Sequence, residues 1–312
     1  MNRCLISYEP VPDGQDYSVH GLRVLHSRLA HLDPLPFTET DLIHEAANRA
    51  GKMSIQGIQP KLSAVLRVAE SRLEIVNVNG RFILKPPNPS YPQLPENEDL
   101  TMKLGKLAGL ETPDHGLVRA RDGKLVYWIR RFDRIAQKGK LPVEDFAQLS
   151  GRDRETKYDS SVEQVVSVIE QYCTFPMVEK RIFFQRFLFN FLIGNEDMHL
   201  KNYSLITKSR IVRLAPCYDL LNSTIVLKEA REESALPLGG KKSGFTRNLF
   251  IKYLGTELLG LTPRVVDGVL RTFKQTVSVW SEWIDQSFIA PEFKTKYQEL
   301  VRARYQRVFE SV

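Results

Sequence analysis

The sequence predicts an α+β chain of two lobes with a cleft between them: a β-rich first part and a helical second part, divided near Arg134. Two patterns and a length carry this. Short alternating apolar runs with Asn-Gly and Asp-Gly turns fill the stretch from Lys61 to Ile129. Beyond Arg134 the apolar spacing changes to the helical period. The 312 residues also leave room for two units at roughly 100–200 residues each.

The first fifty residues are punctuated by Pro10, Pro12, Pro34 and Pro36, and predict a short strand, a turn and a helix near Glu39–Ala50 capped by Thr38 or Thr40. Leu62–Arg67 and Leu73–Val78 alternate, and Asn79-Gly80 predicts a hairpin into Phe82–Leu84. Five prolines between Pro86 and Pro95 make a loop. Glu96–Leu110 follows as a helix, with Leu100, Leu104 and Leu107 on one face and Gly109 near its end. Leu117–Ala120 and Leu125–Ile129 flank Asp122-Gly123 as a second hairpin. Val162–Tyr172 and Val178–Ile193 are helices, the second apolar nearly all round and therefore central and buried. A small β patch, Tyr203–Ile206 and Ile211–Leu214, precedes the polar stretch Lys228–Thr246 and a helical tail ending in Pro291–Phe309.

Composition narrows the class. With 42% hydrophobic and 26% charged residues the chain is an ordinary globular one, so disordered and low-complexity classes are excluded. Lys+Arg exceed Asp+Glu by 44 to 37, a net +7 that favours anionic partners. Cys4, Cys173 and Cys217 lack metal-type spacing and read as free thiols of a reducing compartment. The most apolar run, Phe187–Ile193, is far short of the ~18 residues a membrane span needs, and no export signal is visible. The expectation is a cytoplasmic protein with no membrane partner.

The chemistry concentrates in Ile193-Gly-Asn-Glu-Asp-Met-His-Leu-Lys-Asn-Tyr-Ser-Leu-Ile206. Asp197 and Asn202 lie five apart, and Asp219 follows Asp197 by 22. Kinase-like phosphoryl transfer needs three such oxygen donors: one Asp for the acceptor hydroxyl, with an Asn and a second Asp for Mg2+ on the phosphates. A polar turn satisfying its own backbone is the plainer alternative. His199 and Lys201 sit where they could meet phosphate. Lys85 ends the strand Phe82-Ile-Leu-Lys85, and Glu98 in the next helix is either its ion partner or a first-turn helix acid. Ser54-Ile-Gln-Gly-Ile-Gln-Pro-Lys-Leu-Ser63 holds one glycine, too few for a phosphate loop by itself. Tyr127-Trp-Ile-Arg-Arg-Phe-Asp-Arg134 joins the lobes, where a kinase uses backbone groups to hold adenine; its aromatics equally suit a core.

Together these segments resemble the HipA family of bacterial serine/threonine kinase toxins. The resemblance rests on Ser54 to Lys61, Phe82-Ile-Leu-Lys-Pro86, Asn97-Glu98, Arg131-Phe-Asp-Arg134, Glu144-Asp-Phe-Ala-Gln148 and Lys157-Tyr158. Gly194 to Asn202 and Leu214-Ala-Pro-Cys-Tyr-Asp-Leu220 complete it. It implies a bilobal protein-kinase-like fold, with residues 1–134 as the nucleotide-binding lobe and 135–312 as the helical catalytic lobe. By resemblance Asp197 is the catalytic base and Asn202 and Asp219 hold Mg2+. ATP would lie against Gln56, Gly57, Ile58, Gln59, Pro60, Lys61 and Lys85, with Arg130, Arg131 and Phe132 at adenine. His199, Leu200, Lys201, Asn202, Tyr218 and Asp219 would flank the phosphates. Ser54 would be autophosphorylated, which in the family ejects the loop. Pro60 stands where an acidic residue is common. The start of the chain lies close to the Ser54 motif, which matches the short HipT kinase of HipBST systems. That form implies a HipS-like small antitoxin, a HipB-like DNA-binding repressor through which DNA is met only indirectly, and an aminoacyl-tRNA synthetase substrate, the tryptophan enzyme by likeness to the short form. Other readings consistent with the residues are a lipid or small-molecule kinase and a nucleotide-sensing, non-catalytic subunit of a repressor complex.

Overall fold

A computed structural model of the chain describes residues 2–49, 60–135, 139–153, 155–227, 230 and 232–310. It divides into two compact units. The first comprises residues 1–100, 113–138 and 286–289, and the second 101–112, 139–285 and 290–312.

The first unit opens with a two-stranded pair, β1 (Asn2–Arg3) and β2 (Pro10–Val11), and a short helix α1 (Val19–Leu25). Helix α2 spans Glu39–Arg49. Thr38 caps it reciprocally: its hydroxyl accepts from the Asp41 N–H at 3.2 Å, and the Asp41 carboxylate accepts from the Thr38 N–H at 2.9 Å. Five strands then build an antiparallel sheet: β3 (Leu62–Arg67), β4 (Arg72–Ile75), β5 (Phe82–Lys85) and, after helix α3 (Leu94–Leu107), β6 (His115–Arg119) and β7 (Leu125–Arg130). Their order is β4-β3-β5-β7-β6. Leu62, Ala64, Phe82, Leu84, Val126 and Trp128 turn their side chains into one core with Leu22, Leu25 and Leu42. Phe82 and Trp128 meet edge to face at 5.8 Å between ring centres.

The order corrects one expectation. Asn79-Gly80 does not close a hairpin, because β5 pairs with β3 and not with β4. The hairpin is β3–β4, turning at Ser71 in the left-handed region at φ 50°. Asn79 also has positive φ, but its segment carries the chain across β3. A Cβ on Gly80 would lie 1.8 Å from Ser63 Oγ, so glycine is needed there for close approach. The Asp122-Gly123 hairpin joins β6 to β7 as the sequence predicts.

The second unit is mostly helical. Strand β8 (Val143–Asp145), which the sequence does not betray, leads into the one-turn helix α4 (Phe146–Leu149). Helix α5 (Val162–Tyr172) and the central α6 (Pro176–Ile193) follow, then β9 (Ser204–Lys208) and β10 (Ile211–Leu214). The small sheet runs β10-β9-β8. A π-helical stretch, Leu249–Leu258, precedes α7 (Pro263–Gln286) and α8 (Pro291–Tyr305). As expected, α6 is buried all round its last three turns. Phe187 and Phe191 pack there against Phe245 and Phe250, with ring centres 4.9 to 6.1 Å apart. This packing fixes where α6 ends, and the predicted chemistry starts at that end. Among the described residues no helix is long and apolar enough to cross a membrane.

Candidate active site

Helix α6 stops at Gly194, which takes the left-handed conformation at φ 78° and donates its N–H back to the helix carbonyls. The loop beyond is tied from several sides. Asn195, 2% exposed, receives the Asp197 N–H on Oδ1 at 3.3 Å. Through Nδ2 it donates to Asn190 Oδ1 at 3.0 Å and to the Asp219 carbonyl at 3.4 Å. Ser223 Oγ accepts from the Glu196 N–H at 2.8 Å, and Thr224 Oγ1 donates to Glu196 Oε1 at 2.7 Å. These bonds tie the loop to the end of α6 and to the segment after Asp219.

Asp197, on an exposed part of this loop, keeps its carboxylate outward. Asn202 donates through Nδ2 to the Asp197 carbonyl at 2.9 Å, an arrangement that does not use its Oδ1. Asp219 sits in the left-handed region at φ 53°, a conformation that costs a non-glycine residue about 1 kcal/mol or more. The backbone there is held by Asn195, and the neighbouring Tyr218 hydroxyl bonds Ser204 Oγ at 2.5 Å and the Lys201 carbonyl at 3.0 Å. Burial raises the Tyr218 phenol above its ordinary range, so it stays protonated. Asp197 and Asp219 both lie near enough to act electrostatically on His199, and Asn202 bonds the Asp197 backbone, so the three predicted oxygen donors gather about this loop.

The neutral form of the His199 ring is favoured by its burial. Burial pushes its pKa down to about 4, the Lys157 charge adds to that, and Asp197 and Asp219 oppose it. Its Nε2 lies 2.8 Å from Lys157 Nζ, so the neutral ring accepts from the ammonium. Lys201 is held by Asp145 at 3.1 Å, and Leu200 is buried in a single 3-10 turn with it.

In the first unit, Lys85 and Glu98 form a buried ion pair at 2.5 Å, with side chains 3% and 1% exposed. Of the two readings the sequence allows for Glu98, the structure takes the ion partner. Arg130 is committed elsewhere: it bonds Asp114 at 3.0 Å and the Val24 and Leu25 carbonyls at 3.0 and 2.6 Å. Arg131 makes a two-pronged contact with Asp133. Phe132 follows on a turn. Pro60 and Lys61 lead into β3 and are half-buried. Ser54, Gln56, Gly57, Ile58 and Gln59 lie outside the described residues.

Sequence reasoning missed Asn195, Asn190, Ser223 and Thr224, whose work is done by contacts across turns and carries no spacing signal. It also gave Tyr158 no role; its hydroxyl donates to Asp197 Oδ1 at 2.6 Å. No cluster of three His, Cys, Asp or Glu side chains suited to a metal occurs among the described residues. Two protein oxygens, from Asn202 and Asp219, do fit Mg2+, which takes one or two protein ligands and completes its shell with phosphates and water.

The fold and this loop define a HipA-like kinase fold. The structure superposes on Shewanella oneidensis HipA, solved with HipB and its operator DNA, with a TM-score of 0.67 at 21% identity over 96% of this chain and 75% of that one. The Helicobacter pylori proinflammatory kinase CtkA gives a TM-score of 0.54 at 16% identity over 75% of this chain and 90% of that one. A Haemophilus influenzae protein named as a putative kinase is 29% identical over 339 aligned residues, covering 89% of this chain and 97% of its own. The Sinorhizobium fredii putative kinase Y4dM is 31% identical over 80% of this chain and 64% of its own. Residues 53–280 match the HipA-like C-terminal domain, and the chain belongs to that family.

Proposed function

We propose that this chain is an ATP- and Mg2+-dependent serine/threonine-protein kinase and the toxin of a toxin–antitoxin system. The observation that carries the reading is the single loop scaffold on which Asn195 holds the backbones of Asp197 and Asp219 together while Asn202 is tied through Nδ2 to the Asp197 carbonyl. Residues 1–134 would serve as the nucleotide-binding lobe and 135–312 as the catalytic lobe. Lys85, oriented by Glu98, would meet the α- and β-phosphates.

The acceptor hydroxyl gives its proton to an Asp197 oxygen while its own oxygen bonds the γ-phosphorus; the bond to the β–γ bridging oxygen breaks and ADP leaves. Asn202 and Asp219 would hold Mg2+, which when bound neutralises charge on the phosphates. Autophosphorylation at Ser54 would place roughly −1.5 to −2 charges beside the nucleotide and expel that loop. The family, and the HipB and operator DNA in the Shewanella neighbour, support a HipB-like repressor as partner, with DNA met through it. The finer identity we propose is HipT-like, with a HipS-like antitoxin and an aminoacyl-tRNA synthetase, the tryptophan enzyme, as substrate in the cytoplasm.

The test is incubation of the purified chain with γ-labelled ATP and Mg2+, followed by phosphosite mapping. Transfer by wild type and its loss in Asp197→Asn, with ATP binding kept, is the expected result. Silence in wild type, or undiminished transfer by Asp197→Asn, overturns it.

A further inference from the structure

Lys157 and Tyr158 lie 39 residues before the catalytic loop in sequence and on its surface in space. Their turn is stapled. The Asp153 carboxylate accepts from the Glu155 N–H at 2.8 Å and from the Thr156 N–H and hydroxyl at 2.9 Å each. The Leu200 N–H donates to the Lys157 carbonyl at 3.3 Å, joining the turn to the loop. Tyr158 therefore arrives at Asp197 already oriented. Its ring stands edge-on to His199 at 5.0 Å, and the Lys157 ammonium lies over it at 4.8 Å. A cation over the ring draws electron density from the phenol and makes its hydroxyl a stronger donor.

We propose that Tyr158 is a positioning residue for the phosphoacceptor base. Its hydroxyl fixes Asp197 Oδ1 at 2.6 Å, and Oδ2, which has no partner among the described residues, becomes the oxygen presented to the acceptor hydroxyl. An exposed aspartate on a loop otherwise turns freely about χ2. Pinning one oxygen removes that freedom and sets one direction of approach, the condition under which a positioned base is effective. The Lys157–His199 contact serves the same end, since the imidazole nitrogen 2.8 Å from the ammonium helps hold it over the phenol ring.

This rests on the kinase reading above, and the experiment separates the two. Tyr158→Phe removes one oxygen and keeps the ring, its contact with His199 and its cation. In autophosphorylation with γ-labelled ATP, the maximal rate is expected to fall about tenfold or more, because base orientation is lost. The ATP concentration giving half that rate should stay within about twofold, because the phenol bonds the base and not the nucleotide. ADP affinity and melting temperature should not move. An unchanged maximal rate overturns the proposal. A raised rate overturns it too, making the phenol a plug over the base. So does a parallel loss of ADP affinity or melting temperature, which would mark a structural role. Absence of transfer in wild type removes the kinase reading itself, and the positioning role falls with it.

Discussion

Asn195 Nδ2 donates to the carbonyl of Asp219 at 3.4 Å, joining two residues 24 apart in sequence, while its Oδ1 receives the N–H of Asp197. One buried amide thus ties together the backbones of the two aspartates on which the proposed chemistry depends. Asn195→Ala leaves buried partners without their bonds and should cost about 2 kcal/mol in stability. Transfer should fall about tenfold or more through misplacement of the two carboxylates. Denaturant titration beside the labelled-ATP assay measures both. Undiminished activity would show that the loop keeps its shape without the bridge.

The start of that loop depends on Gly194. At φ 78° an alanine is strained, and its Cβ would come within 2.5 Å of Leu300 Cδ2 and 2.7 Å of Asn222 Oδ1. Gly194→Ala should destabilise the second unit by about 2 kcal/mol or more. Gly151→Ala, also left-handed but with nothing within 4 Å, carries only the strain and should cost about half as much. The comparison of their unfolding midpoints separates clash from strain.

Lys85 and Glu98 offer a test in the first unit. Lys85→Met strips a buried carboxylate of its ion partner, and such changes cost about 3–5 kcal/mol. The double substitution Lys85→Met with Glu98→Leu should recover most of that loss, because no buried charge remains. Nucleotide affinity should fall in both variants. If the single and double variants unfold at the same denaturant concentration, the unpaired Glu98 carboxylate is not the source of the loss.

Glu96, at the start of α3, predicts a pH dependence. Burial raises its pKa to about 7, with Asp99 adding to the shift. A carboxyl raised in the folded chain contributes stability below its unfolded pKa, and that contribution disappears as pH climbs through the folded value. The loss therefore runs from about pH 4.5 to about pH 7. Glu96→Gln should flatten this slope and stabilise the chain by about 2 kcal/mol at pH 8. Urea titrations of wild type and variant at pH 5 and pH 8 check it; equal slopes would remove Glu96 as the cause.

Much was legible in the sequence because it is local. The helices expected over Val162–Tyr172 and Val178–Ile193 and the Asp122-Gly123 turn each depend on near neighbours and hold in the structure, the second helix starting two residues earlier at Pro176. The Asn79-Gly80 reading failed because a turn signal gives a change of direction, while strand pairing is decided by which edge of β3 is open.

By itself the sequence determined the two-part α+β order, the buried α6 and the three oxygen-bearing residues of the candidate site. Only the tertiary structure decided that Glu98 neutralises Lys85, that Arg130 is spent on the Val24 and Leu25 carbonyls, and that Tyr158 reaches Asp197. The reason is physical. Helices and turns arise from interactions a few residues long, whereas a buried charge or an exposed carboxylate takes whichever partner packing brings within about 3 Å.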